Sequence, residues 1–149
     1  MKKHIQRFRH LPEEGLYGDC HRTAIACLLD LEPEQVPHFG EIGALAEQRG
    51  EDYDWRADVE RYLNTQGYTQ MDYCMMPDNL DNFFLMMEDR APKVYYLMGG
   101  ESPRGTNHTI VCCGGGFYHD PHPDGGFIVA PMSNKCYEAT FLLPLSMKA

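Results

Sequence analysis

Apolar residues recur at Cys20, Ala24, Cys27, Leu28 and Leu31, the spacing of one face of a helix running from Cys20 to about Leu31. Asp19 follows a glycine and precedes this stripe, so it reads as an N-cap whose carboxylate accepts a first-turn N–H. Glu32-Pro33 ends the stripe, and Pro33 to Val36 adds one turn before Pro37 stops it. The lead-in from Met1 to Tyr17 is mostly polar, carries Pro12 and Gly15, and reads as extended or looped chain that runs directly into Cys20. Further on, Glu41 to Gln48 makes a short helix closed by Gly50. Asp54 to Gln66 sets Trp55, Val59, Tyr62 and Leu63 on one core-facing side and ends at Gly67. Pro77-Asp78-Asn79 opens another helix with Leu80, Phe83, Phe84 and Met87 at i, i+3, i+4 and i+7, closed before Pro92.

Tyr68 to Met76 alternates weakly and is rich in β-formers, and after Pro92 the period becomes strand-like throughout. Lys93 to Met98 ends at Gly99-Gly100, and His108 to Cys113 ends at Gly114-Gly115-Gly116, a turn that leads into Phe117 to Asp120 as a hairpin. Phe127 to Ala130 and Tyr137 to Leu143 complete a sheet of about five strands. Helices first and strands later predict an α+β fold, with N-terminal helices packed on a mostly antiparallel sheet.

A length of 149 residues suits one domain, residues 1–149, that buries its core without staples. The net charge of −9 disfavours nucleic acid and anionic membrane, and the basic cluster from Lys2 to Arg9 is short and broken by Ile5 and Phe8. Neither a signal-peptide core nor a membrane-length apolar run is present, so the expected compartment is the cytoplasm. The six cysteines fit reduced thiols there, since Cys20 and Cys27 share a helix and Cys112 and Cys113 point to opposite faces of a strand. No CxxC pair supports a zinc knuckle, and neither a metal nor another cofactor is expected. His108, His119, Asp120 and His122 form the densest group of potential ligands, which makes a metallohydrolase an alternative, but strand alternation turns His119 away from the Asp120 face.

Chemistry concentrates at Cys20, because the free N–H groups and the dipole at a helix start favour thiolate over thiol. The bland alternative is a buried, inert cysteine. A histidine in reach changes that balance. His108 begins a strand directly after the polar turn Ser102 to Asn107, and Asp120 ends the next strand of the hairpin, so both fall at the same edge of the sheet. The carboxylate can hold the imidazole while the helix start docks over both. Arg104, in a Ser-Pro-Arg-Gly turn just before His108, is a candidate contact for a substrate carboxylate or a solvated turn residue. His122-Pro123-Asp124-Gly125-Gly126 reads as a rigid turn closing one end of the cleft, where His122 could touch substrate.

The ordered segments Asp19-Cys20, His108-Thr109-Ile110-Val111 and Asp120-Pro121 resemble the papain-like cysteine peptidase superfamily. The nearest flavour is the leader-cutting peptidase domains of bacteriocin exporters, and small proteins of bacteria and their phages look similar over roughly Gln6 to Gly126. The resemblance implies Cys20 as nucleophile, His108 as general base and later acid, and Asp120 as the group orienting the imidazole. It also implies an oxyanion glutamine upstream of the cysteine; the one available is Gln6, farther away than the pattern has it, while the nearer Glu14 cannot donate when ionised. The expected activity is hydrolysis of a peptide, isopeptide or related amide bond in a peptide or protein substrate. The alternatives are an acyltransferase using the same triad and a catalytically silent binding module, for instance a phage-encoded inhibitor.

Overall fold

The computed structural model describes residues 1–146, and the apolar stripes of the sequence become two layers of helix around one sheet. In chain order the helices are α1 (Cys20–Leu29), α2 (Phe39–Gln48), α3 (Trp55–Thr65) and α4 (Leu80–Arg90). The strands are β1 (Tyr68–Met75), β2 (Tyr95–Glu101), β3 (Asn107–Cys113), β4 (Gly116–His119) and β5 (Tyr137–Pro144). They form an antiparallel sheet in the order β1-β5-β2-β3-β4. The fold is therefore α+β, with N-terminal helices followed by strands.

Side chains alternate across a strand, and this sheet is covered on both faces. From β2 and β3, Leu97 and Val111 join Ala24, Ile25, Val59 and Leu63 of α1 and α3 on one side. Tyr96, Met98, Ile110 and Cys112 join Phe83 and Met87 of α4 on the other. Burial of each Val, Leu, Ile, Phe or Met side chain among these contributes about 1.5–3 kcal/mol.

Local chemistry sets the element ends. Asp54 Oδ1 accepts from Ala57 N at 3.0 Å and caps α3. α1 stops two residues before the expected Leu31, because Asp30 turns left-handed at φ 56°. The turn between β3 and β4 requires glycine: a Cβ on Gly114, at φ 53°, would stand 2.6 Å from the Pro92 carbonyl oxygen, and one on Gly115 2.7 Å from that of Phe84. This close seating fixes the hairpin that brings Asp120 back beside His108.

Further departures concern Phe127 to Ala130 and Trp55. Phe127 to Ala130 is not a strand of the sheet. Phe127 takes φ 53° after Gly125 and Gly126, and the segment's link to β2 is an isolated bridge from Ala130 to Glu101. Trp55 does not share the buried face of Val59 and Leu63: as the first residue of α3 it lies at the helix end and is 41 % exposed. No described helix is long and apolar enough to cross a membrane.

Candidate active site

Cys20 is the first residue of α1, so its backbone N–H has no acceptor inside the helix. The residue before it does not cap that helix with its side chain. Asp19 is 1 % exposed; its Oδ1 accepts from Phe8 N at 2.9 Å and its Oδ2 from Arg22 Nε at 3.0 Å. The carboxylate thus ties the lead-in chain to a first-turn side chain of α1 and accepts no first-turn backbone N–H. That chain is a strap between the helix start and the far side of the site. Phe8 holds Asp19, Gln6 N donates to Pro121 O at 2.8 Å, His119 Nε2 donates to His4 O at 2.6 Å, and Arg9 Nη2 donates to Asp124 Oδ1 at 2.9 Å.

His108 begins the buried part of β3, and its Nε2 donates to Asp120 Oδ1 at 2.7 Å. Asp120 Oδ1 also accepts from His122 N, and Oδ2 from Phe127 N, both at 2.8 Å. Burial opposes ionisation of this carboxyl, but the bond from His108 and the two backbone donors hold it below its ordinary range. The turn after Gly126 thus cages Asp120 instead of adding a strand. Burial likewise opposes charge on His108, yet the Asp120 bond, together with the hydrogen bond and charge of Cys20, raises the imidazole to about 9. With Nε2 committed to Asp120, Nδ1 is the nitrogen left for the sulfur.

Cys20, Asn107 and His108 line two cavities. One, of about 340 Å³, has apolar walls from Phe39, Trp55, Leu97 and Met132. The other, of about 450 Å³, has more polar side chains in its walls, among them Gln6, Arg9, His10, Arg104 and His122. Gln6 Nε2 donates to Phe8 O at 2.6 Å, while its Oε1 is buried with no partner. Arg104 Nη1 donates to Gly125 O at 3.1 Å. His122 Nδ1 accepts from Asp124 N at 3.1 Å, and its pKa is lowered by burial and by Arg104.

The residues proposed from sequence therefore collect in one cleft: Cys20, His108 and Asp120 at its centre, with Gln6, Arg104 and His122 on the polar side. His119 is directed to the His4 carbonyl and away from Asp120. Among the described residues, no three His, Cys, Asp or Glu side chains stand together as a ligand set for a metal ion. All six thiols are free, with Cys112 buried and Cys113 partly exposed on the opposite face.

Sequence reasoning gave no site role to His21 or Asn107 and placed Trp55 in the core. The His21 ring meets Trp55 edge-on at 5.2 Å and Phe39 at 6.3 Å, and burial drives its pKa down to about 4, so it serves as a neutral wall of the apolar cavity. Adjacency to Cys20 was the available signal for His21, and Trp55 had its place at the helix start. Asn107 fixes the site entrance by donating from Nδ2 to Ser133 Oγ at 3.1 Å and accepting from Ser133 N at 3.0 Å. Comparison of the chain with protein-family models, curated proteins and solved structures finds no match.

Proposed function

We propose that the protein is a cysteine-dependent hydrolase of the papain-like type, cleaving a peptide, isopeptide or related amide bond through a thioester. Cys20 is the nucleophile, His108 the base and then the acid, and Asp120 the positioning residue. The observation that carries this reading is a single imidazole bonded at Nε2 to a buried carboxylate at 2.7 Å and sharing with the Cys20 thiol the walls of the two cavities that meet there. In the resting pair the Cys20 proton already sits on His108 Nδ1, because the imidazole is raised to about 9, and in the forward step the sulfur bonds to the carbonyl carbon as the C=O π electrons pass to the oxygen. The imidazolium then protonates the departing nitrogen as the C–N bond breaks. In the return step His108 takes a proton from water, which attacks the thioester and releases the thiol. An amine in place of water makes the same chemistry an acyl transfer.

The helix-start N–H of Cys20 supplies one oxyanion donor, and the second amide hydrogen of Gln6 supplies the other. The test combines alkylation with turnover. Iodoacetamide labelling of Cys20, followed by peptide mass spectrometry, slows about tenfold or more in His108→Ala. Turnover of a fluorogenic peptide-amide library vanishes in Cys20→Ala. Labelling indifferent to His108, with no turnover of any amide, leaves a silent binding module.

A further inference from the structure

We infer that the substrate has two unlike arms, one apolar and the other ending in a free carboxylate, and that Arg104 and His122 receive the carboxylate. The inference rests on Cys20 as the reactive thiol. The two cavities share Cys20 and His108, so a bond attacked there must extend into both. Both volumes, about 340 and 450 Å³, lie at the small end of ligand pockets, about 300–1,000 Å³. Each suits a side chain or short acyl group better than a long peptide.

The two cavities differ in the charges they present. Glu138 reaches the apolar cavity, but Arg56 Nη2 neutralises it at 2.7 Å. Apart from Cys20, every ionisable residue lining the polar cavity is a base, in a chain of net charge −9. Arg9 already spends its guanidinium on Asp124. Arg104 is exposed and holds a single carbonyl, and among the described residues no carboxylate pairs with it. His122 accepts at Nδ1, so its neutral ring carries the proton on Nε2 as a donor. A planar guanidinium beside an imidazole N–H matches a carboxylate, which takes two parallel hydrogen bonds from arginine. An N-acyl amino acid, or the C-terminal residue of a peptide, combines these features.

The test reads Cys20 alkylation by iodoacetate and by iodoacetamide in the full-length protein, with N-acetylcysteine amide, a neutral free thiol, as reference and Cys74, bonded to Glu138, set aside. Cys20 favours iodoacetate over iodoacetamide by about tenfold relative to the reference thiol, and the preference fades at about 1 M salt, where screening extends to about 3 Å. In Arg104→Gln the ratio falls at least about fivefold while His108 is retained, which separates Arg104 from the imidazolium charge. N-benzoylleucine protects Cys20 from iodoacetamide better than its carboxamide does. A Cys20 ratio equal to that of the reference thiol, or unchanged in Arg104→Gln, overturns the carboxylate assignment. Inorganic phosphate abolishing the preference more effectively than acetate overturns it in favour of a phosphate. If iodoacetamide labelling of Cys20 is also indifferent to His108→Ala, the nucleophile reading has failed; if that labelling depends on His108 and only the ratio is flat, this inference alone has failed.

Discussion

His108 Nε2 and Asp120 Oδ1 stand 2.7 Å apart with both side chains buried, and the carboxylate is further fixed by the amides of His122 and Phe127. Three donors for two oxygens leave no room for an amide. In Asp120→Asn an NH₂ group must face either the Phe127 N–H or the His108 and His122 donors, which costs about 1–3 kcal/mol of stability. The same change removes the charge that supports the imidazolium, so the His108 titration followed by NMR moves down from about 9. Amide turnover falls about 100-fold or more. An unmoved His108 titration would sink the account of this pair.

Stability should peak near neutral pH, with opposite histidines responsible for the two limbs. The folded pKa of His108 is raised to about 9 from its ordinary 6.5, so its contribution is fully present below 6.5 and is lost as pH rises through about 9. His21 is depressed to about 4; its contribution is full above 6.5 and is lost as pH falls towards 4, since the unfolded chain takes the proton first. Asp120, held below its ordinary 3.8, adds a loss only at still lower pH. Urea midpoints measured across this range therefore show a maximum close to 6.5. His21→Gln flattens the acid limb, and Cys20→Ser, which removes one cause of the His108 shift, shallows the alkaline one. Stability that climbs steadily from 6.5 to 9 contradicts the assignment.

The periodic elements were legible because burial enforces periodicity. Phe83 and Met87 at helical spacing, and Tyr96 alternating with Leu97, point where the hydrophobic pattern requires. The glycine run was legible too, and the reason for it is the close approach of Pro92 and Phe84. What escaped were choices made by distant partners. Asp19 has the composition of a cap, yet a backbone N–H eleven residues upstream and Arg22 claim its carboxylate. Phe127 has the composition of a strand, yet the carboxylate of Asp120 takes its N–H at positive φ. Trp55 belongs to an amphipathic stripe whose first turn overhangs the cleft. In each case one tertiary bond or edge position outweighs a local preference worth about 1 kcal/mol.

Asp19 is the joint between the strap and α1, and its removal should loosen both. Asp19→Ala leaves Phe8 N without its acceptor and Arg22, largely buried, without its counter-charge. Breaking such a buried pair costs about 3–5 kcal/mol. Asp19→Asn keeps an oxygen for Phe8 and loses less. Urea unfolding gives the ranking, and hydrogen exchange at the Phe8 amide accelerates in the alanine variant before the β3 amides respond. Equal losses in both variants would mean that the carboxylate charge, and not the strap contact, is what matters.

Gln6 combines a structural bond with a proposed catalytic one, and the two can be separated. Its Nε2 clasps Phe8 O at 2.6 Å, so any truncation loosens the strap by about 0.5–1.5 kcal/mol. Its second amide hydrogen is the proposed oxyanion donor, whose loss lowers kcat about 10²–10³-fold. Gln6→Met conserves volume while removing both. Acylation of Cys20 by an activated acyl ester develops negative charge on oxygen and should fall by the larger factor. Alkylation by iodoacetamide builds no oxyanion, so it should fall far less. A Gln6→Met protein that is less stable but acylates within a few-fold of the parent reduces Gln6 to a clasp of the N-terminal segment, and leaves the Cys20 N–H to hold the oxyanion without it.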